Sequence, residues 1–311
     1  MKIFRISPAG LRTPLLFDTF DSLILSRIEF TEIPTAADVI WFDCHSGGGS
    51  YDLDTLREVL RCKIPVVAFN RHDSWGDPEH RCNWHGWDDW KELRELPQPW
   101  GDFLLETIRH GLLRLYFVRN LQRSRLSDYP AFVRPFELIL EPDHDFAPVG
   151  FEEYHARPND FCFIGCSSPW RANLVCGLIR AGFRVDAFFP YFRVPHEHWL
   201  DRHRQARFFI EACGHFGSDR PYQLSALAPM LKLHNDQFIR DDWEHLAHCV
   251  KVGNYDGTLR EPDIELLREL LADPARCHAI YQAGMDHLHA RFSATSRASY
   301  VLQCMQEAGL T

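Results

Sequence analysis

Short apolar runs alternate along the chain with stretches where apolar residues recur every three or four positions. The first pattern predicts buried strands and the second amphipathic helices, and their alternation predicts α/β layering. In the first half, strands are expected at 2–6 (KIFRI), 28–33, 38–43 (DVIWFD) and 64–69 (IPVVAF). Helices are expected at 52–61, with Asp52 as N-cap, and at 102–117 (DFLLETIRHGLLRLYF). A second series starts near residue 158, with strands at 161–165 (FCFIG), 184–189, 207–212 (RFFIEA), 229–233 and 249–252. Its helices are expected at 169–181, opened by Pro169 and closed by Gly182, and at 219–227, 261–272, 274–291 and 293–307.

This order predicts two Rossmann-like α/β domains facing a cleft: 1–135 on the acceptor side and 158–292 as the donor domain. The stretch between them, 136–157, lies in a region with prolines at 135, 142 and 148 and several acids, and reads as a linker. In 293–311, Tyr300, Val301, Cys304 and Met305 share one helical face, so this last helix is expected to pack back on the first domain. Open α/β sheets bind ligands at the carboxyl ends of their strands, which places the expected site there.

Composition narrows the function classes. The 311 residues are 45% hydrophobic and 25% charged, ordinary for a globular chain with a large core. A formal net charge of −9 argues against a general polyanion binder. Only five of the 34 basic residues are Lys, and Arg suits bidentate recognition of phosphate or carboxylate. Ten Cys occur without a CxxC pair, the opening MKIFRISPAG has no signal-peptide core, and no apolar run is long enough to span a membrane. A reduced, cytoplasmic protein is expected.

The richest segment is 214–233, GHFGSDRPYQLSALAPMLKL. A strand leads through small residues, Gly214 to Gly217, into an expected helix that Ser218 and Asp219 can cap. Backbone N–H groups and the helix dipole there favour an anion, and Arg220 adds a charge-assisted contact. Gln223 would reach a sugar hydroxyl from the next turn, and His215 lies in the loop ahead of Arg220. A solvent-exposed Arg on an ordinary capped helix is the plain alternative.

In the first half, Asp43-Cys44-His45-Ser46-Gly47-Gly48-Gly49-Ser50 follows a strand and precedes a helix. Asp43 or His45 could accept an acceptor hydroxyl's proton, and Asp73, beyond the strand at 64–69, is a further candidate. Four of the nine Trp, at 75, 84, 87 and 90, follow Asp73, and their faces suit sugar stacking. His72, His80, Cys82 and His85 lie among them at spacings that match no standard zinc pattern, so no metal is expected. His245 and His248 fall on one face of an expected helix.

Three motifs in succession carry a family resemblance. Phe163-Ile164-Gly165 is followed by Cys166-Ser167-Ser168-Pro169-Trp170-Arg171, and then by Gly217-Ser218-Asp219-Arg220-Pro221-Tyr222-Gln223-Leu224. The third runs from Glu265-Leu266-Leu267 through Asp273-Pro274 and Gly284 to Arg291-Phe292-Ser293 and Arg297. Residues 158–305 thereby resemble the group 1-like donor domain of GT-B glycosyltransferases, above all the spore-maturation-protein-like branch. The resemblance implies transfer of a hexosyl or pentosyl group from a nucleotide-sugar co-substrate, without metal or other cofactor. It implies donor contacts from Gly165, Ser167, Arg171, His215, Gly217, Ser218, Arg220, Tyr222 and Gln223. Gln223 stands where the family usually has Glu; it keeps an acceptor oxygen but lacks charge. The acceptor stays open among a glycan, a lipid, a small molecule and DNA. A degenerate GT-B-like nucleotide-binding protein and a phage-type nucleic-acid base glycosyltransferase are the alternatives.

Overall fold

In the computed structural model the described residues are 1–6, 29–44, 52–70, 100–118, 130–136, 149–165, 167–189, 195–211, 227–234, 243–254 and 256–310. Among them, those up to 136 and those from 293 form one compact unit, and those of 149–292 form a second. Each unit is built on its own parallel sheet.

The first unit contains β1 (Lys2–Ile6), β2 (Glu29–Phe30), β3 (Val39–Cys44), α1 (Leu53–Cys62), β4 (Val66–Asn70), α2 (Trp100–Arg109), β5 (Leu113–Val118) and β6 (Val133–Pro135). The strand order is β2-β1-β3-β4-β5-β6, and every pair is parallel. Alternate residues serve two faces, as the two-residue period of a strand requires. Ile40, Phe42, Val66 and Ala68 pack in one core with Leu56 and Val59 of α1 and Phe103 of α2. On the opposite face Trp41, Phe69 and Phe117 form a stacked ladder, with ring centroids 4.1 and 4.6 Å apart. Offset aromatic pairs of this kind add about 0.5–1.5 kcal/mol each beyond their buried area.

The helix expected over 102–117 is two elements. Helix α2 ends at Arg109, Gly111 takes φ +65°, and the chain re-enters the sheet as β5. The run Leu112–Val118 is almost wholly buried, so its apolar content reflects a central strand with neighbours on both sides.

The second unit contains α3 (Phe151–His155), β7 (Asn159–Ile164), α4 (Pro169–Arg180), β8 (Val185–Phe188), α5 (His196–Arg204), β9 (Ala206–Glu211), β10 (Met230–Leu233), β11 (Val250–Val252), α6 (Glu261–Ala272) and α7 (Pro274–Phe292). Its order is β11-β10-β9-β7-β8, again parallel throughout. Phe161 and Phe163 of β7 face a core with Leu174, Leu178, Leu267 and Tyr281. Cys162 and Ile164 face the other side, against Ala206 and Trp199. At the amino-terminal edge, buried Arg157 donates from Nη1 to the carbonyls of Ala206 and Leu227, tying the start of β9 to the chain before β10. The region expected as linker, 136–157, contributes α3 to this unit. His245 and His248 lie in a turn, not a helix, with Leu246 at φ 63°. The expected helix at 219–227 falls almost entirely outside the described residues.

The last helix, α8 (Ala294–Glu307), is capped by Ser293, whose Oγ accepts from the Ser296 N–H. It belongs to the first unit. Tyr300 meets Phe117 edge-on at 6.2 Å, and Arg114 Nη2 donates to the Ala308 carbonyl at 3.2 Å.

Candidate functional site

All strands of a unit run the same way, so all their carboxyl ends share one edge. In the first unit that edge carries Asp43, near the end of β3 and in register with Phe69 of β4. Asp43 is only 5% exposed. Its Oδ2 accepts from Arg5 Nε at 2.8 Å and its Oδ1 from the Trp41 indole N–H at 3.2 Å. Both partners come from the same sheet face, so the carboxylate ties β1 to β3 where the chain leaves the sheet. To take a proton, Asp43 would have to weaken a charge-assisted bond. His45 and Asp73 lie outside the described residues.

In the second unit, β7 runs into buried Gly165, whose N–H donates to the Phe188 carbonyl at 3.0 Å. Exposed Ser167 and half-buried Ser168 precede α4. Ser168 is the N-cap residue, in extended geometry at φ −150°, ψ 155°, yet its side chain caps nothing. The Ser168 Oγ is buried and has no hydrogen-bond partner. Pro169 opens the helix without a donor to satisfy, and the first turn carries no acid. The N–H groups of a first turn have no intrahelical acceptor, and the dipole there is positive. Arg171, in the same turn, holds its guanidinium 5.9 Å from the Phe163 ring centroid. Gly165, Ser167 and Arg171, expected together from the sequence, are thus gathered around one helix start. An anion placed at such a start would gain the first-turn N–H groups and the helix dipole.

The remaining expected donor residues, His215, Gly217, Ser218, Arg220, Tyr222 and Gln223, lie outside the described residues. Their segment leaves the carboxyl end of β9 at Glu211, next to a charged row that sequence reasoning missed. Lys232 of β10 is in register with both Glu211 and Lys251 of β11, and Glu211 and Lys251 are buried. Lys232 and Lys251, each the single charge in an otherwise apolar strand, were the available signal. His245 Nδ1 accepts from the Lys251 N–H at 3.0 Å, closing the edge of β11. Burial first, then His234 and Lys251, push the His245 pKa down; Asp263 opposes and Arg276 adds to the fall. Ser168 was also missed as a site residue, although Ser before Pro at a strand-to-helix turn is an N-cap signature.

Among the described residues no group of three or more His, Cys, Asp or Glu could hold a metal ion. None of the described helices is long and apolar enough to cross a membrane.

The chain matches no protein-family profile and no curated protein sequence. Solved structures do match. Anabaena HepE, in complex with UDP-glucose, superimposes with a TM-score of 0.58 at 10% identity, covering 99% of this chain and 100% of that one. An alpha-glucosyltransferase in complex with UDP and a 13-mer DNA containing an HMU base gives 0.59 at 12% identity, over 98% and 99%. The fold is that of a GT-B glycosyltransferase. At these identities the likeness speaks for the fold.

Proposed function

We propose that the chain is a glycosyltransferase that moves a sugar from a nucleotide-activated donor to an acceptor hydroxyl, in the cytoplasm and without metal. The observation that carries this reading is the open start of α4, with Arg171 in its first turn and an unpartnered Ser168 hydroxyl beside it. HepE and the alpha-glucosyltransferase, which share the fold, are complexes with UDP-glucose and with UDP. The spore-maturation-like assignment rests on the motifs around Gly165, Arg171 and Arg220.

In this reading the second unit holds the donor. Arg171, Arg220 and the helix dipole face the diphosphate, with Gly165, Ser167, His215, Gly217, Ser218 and Tyr222 around it and Gln223 on the sugar or ribose hydroxyls. The acceptor oxygen bonds to the anomeric carbon, the bond from that carbon to the diphosphate breaks, and the nucleoside diphosphate leaves. Positive groups fixed where that charge develops stabilise the transition state without reorganisation. The acceptor's proton goes to Asp73, with His45 the second candidate base, while Asp43 holds the strand end. The test is thermal stabilisation by UDP, GDP, CDP and dTDP and their sugars, since a ligand of the native state raises Tm by mass action. No shift with any of them, at millimolar concentration, would sink the reading.

A nucleic-acid acceptor is the second reading. The likeness to an enzyme bound to HMU-containing DNA favours it, and the net charge of −9 weighs against it. Transfer of radiolabelled sugar to HMU-containing duplex, but not to unmodified duplex, would select it.

A further inference from the structure

Helix α4 carries an adaptation along one stripe that its place in the core does not require. Trp170, Asn173, Leu174 and Gly177 are spaced i, i+3, i+4 and i+7, so they line one face. Against that face lies the chain that follows β11, residues 253–254 and 256–259. The Asn173 side-chain amide donates to the Asp256 carbonyl at 2.9 Å, across 83 residues of sequence. Gly257 adopts φ +81°, and a Cβ there would stand 1.9 Å from the Trp170 carbonyl oxygen and 3.1 Å from the Leu174 nitrogen. No side chain fits between the two backbones. Further along, a Cβ on Gly177 would meet Leu259 Cδ1 at 3.2 Å. A mid-helix glycine costs about 0.5–1 kcal/mol relative to alanine, and at Gly177 the missing Cβ leaves room for Leu259.

The segment is also braced within itself. The Gly257 N–H donates to the Asn254 carbonyl at 2.9 Å, the Asn254 N–H to the Thr258 carbonyl at 3.1 Å, and the Thr258 N–H to Asp256 Oδ1 at 2.9 Å. Gly253, at φ +62°, lets the turn close, since a Cβ there would meet the Thr258 carbonyl oxygen at 2.9 Å. A self-braced turn locked on a helix by backbone contact resists sliding of that helix along its axis.

We propose that this segment is a strap that sets the axial position of α4, and that Asn173 and Gly257 are positioning residues for the donor diphosphate. The proposal rests on the reading of the α4 start, with Arg171 and the buried Ser168 hydroxyl, as the donor anchor. Neither residue touches the ligand. They act through Trp170, adjacent to Arg171, and Leu174, about one turn beyond it. A shift of about 1 Å in a group that holds a substrate is enough to cost a large factor in its interaction.

The experiment measures calorimetric affinity for UDP, GDP, CDP and dTDP, with Tm, for the wild type, Gly257→Ala and Asn173→Leu. Asn173→Leu keeps the size, adds no charge and removes the donated bond, at an exposed helix position. With the tightest-binding nucleotide, about tenfold weaker binding is expected for Gly257→Ala and about threefold to tenfold for Asn173→Leu. In turnover the donor KM should rise by the same factors, with kcat at saturating donor and the acceptor KM unchanged. A lower Tm with wild-type affinity in the folded variants reduces the strap to a structural brace and overturns the proposal. A wild type that binds none of the four nucleotides overturns the donor reading, and the strap's role with it.

Discussion

Helices α1 and α4 can be compared turn for turn. Each follows a strand that is paired on both sides in a parallel sheet, and each starts at the edge where such sheets take ligands. Their first turns are opposites. In α1 the chain supplies its own anion: Asp52 accepts from the Asp54 N–H at 3.1 Å and from the Thr55 hydroxyl at 2.6 Å, and those two bonds, the hydroxyl first, hold its carboxyl below the usual range. Asp54 adds a second negative charge in the same turn. In α4 the N-cap hydroxyl bonds to nothing, acids are absent, and the charge in the first turn is an arginine's. One helix start is closed and the other open. At the open one an external anion gains a dipole, backbone donors and a guanidinium together, which supports the donor role proposed for the second unit.

The comparison predicts a division of labour, and the largest effect tests the first unit. Asp73→Asn should lower kcat by about 10²–10⁴-fold, the usual cost of losing a general base, and leave nucleotide affinity unchanged. Turnover equal to wild type at saturating acceptor would transfer the role to His45. Arg220→Ala and Arg171→Ala should each weaken nucleoside diphosphate binding by about 1.5–3 kcal/mol, the worth of a hydrogen bond to a charged group. Calorimetry on folded variants reads this directly, and an unchanged Kd removes that arginine from the site.

Closing α4 as α1 is closed breaks the comparison. Ser168→Asp places a carboxylate at the α4 start and should weaken diphosphate binding by repulsion. A folded variant less able to bind has the signature of an anion site already filled. Full binding in the folded variant would separate the helix start from the donor. Conversely, Asp52→Ala should lower Tm and leave nucleotide binding untouched.

The smallest expected effect is the response to acid. In the folded state the His245 pKa lies below the ordinary value of about 6.5, so below that pH the unfolded chain binds more protons than the folded one. The stability associated with His245 is complete above about pH 6.5 and falls as the pH drops from there towards the folded pKa. Asp52 is depressed too, and its contribution is lost only below about pH 3.9. Hydrogen-exchange protection, taken relative to the intrinsic rate at each pH, should therefore fall around β11 before it falls around α1 between pH 7 and pH 5. The reverse order would remove His245 as the sensitive group.

What the sequence made legible follows how local each signal is. Asp52 as the cap of α1 and Pro169 opening α4 are adjacent-residue patterns, and both stand in the structure. The α/β class followed from alternating periodicity and needed no long-range information. The run 112–118 misled, because a continuous apolar stretch fits a buried strand and a helix equally, and only Gly111 marked the break. Pairings across long separations left no trace: Arg5 reaches Asp43 over 38 positions, and Asn173 reaches Asp256 over 83. Of the expected site, Asp43, Gly165, Ser167 and Arg171 can be located in the structure. The rest falls on segments that leave the strand ends.

The placement of α8 has a consequence for synthesis. The first unit needs residues from both ends of the chain, whereas the described residues of the second come from the single stretch 149–292. Domains begin to fold as they emerge, ordinarily from the amino terminus onward. Here the ribosome has made every residue of the second unit before it makes Tyr300, which packs against Phe117. The half that is translated first is therefore the half that is finished last, and until then Phe117 waits without the ring of Tyr300 at its edge.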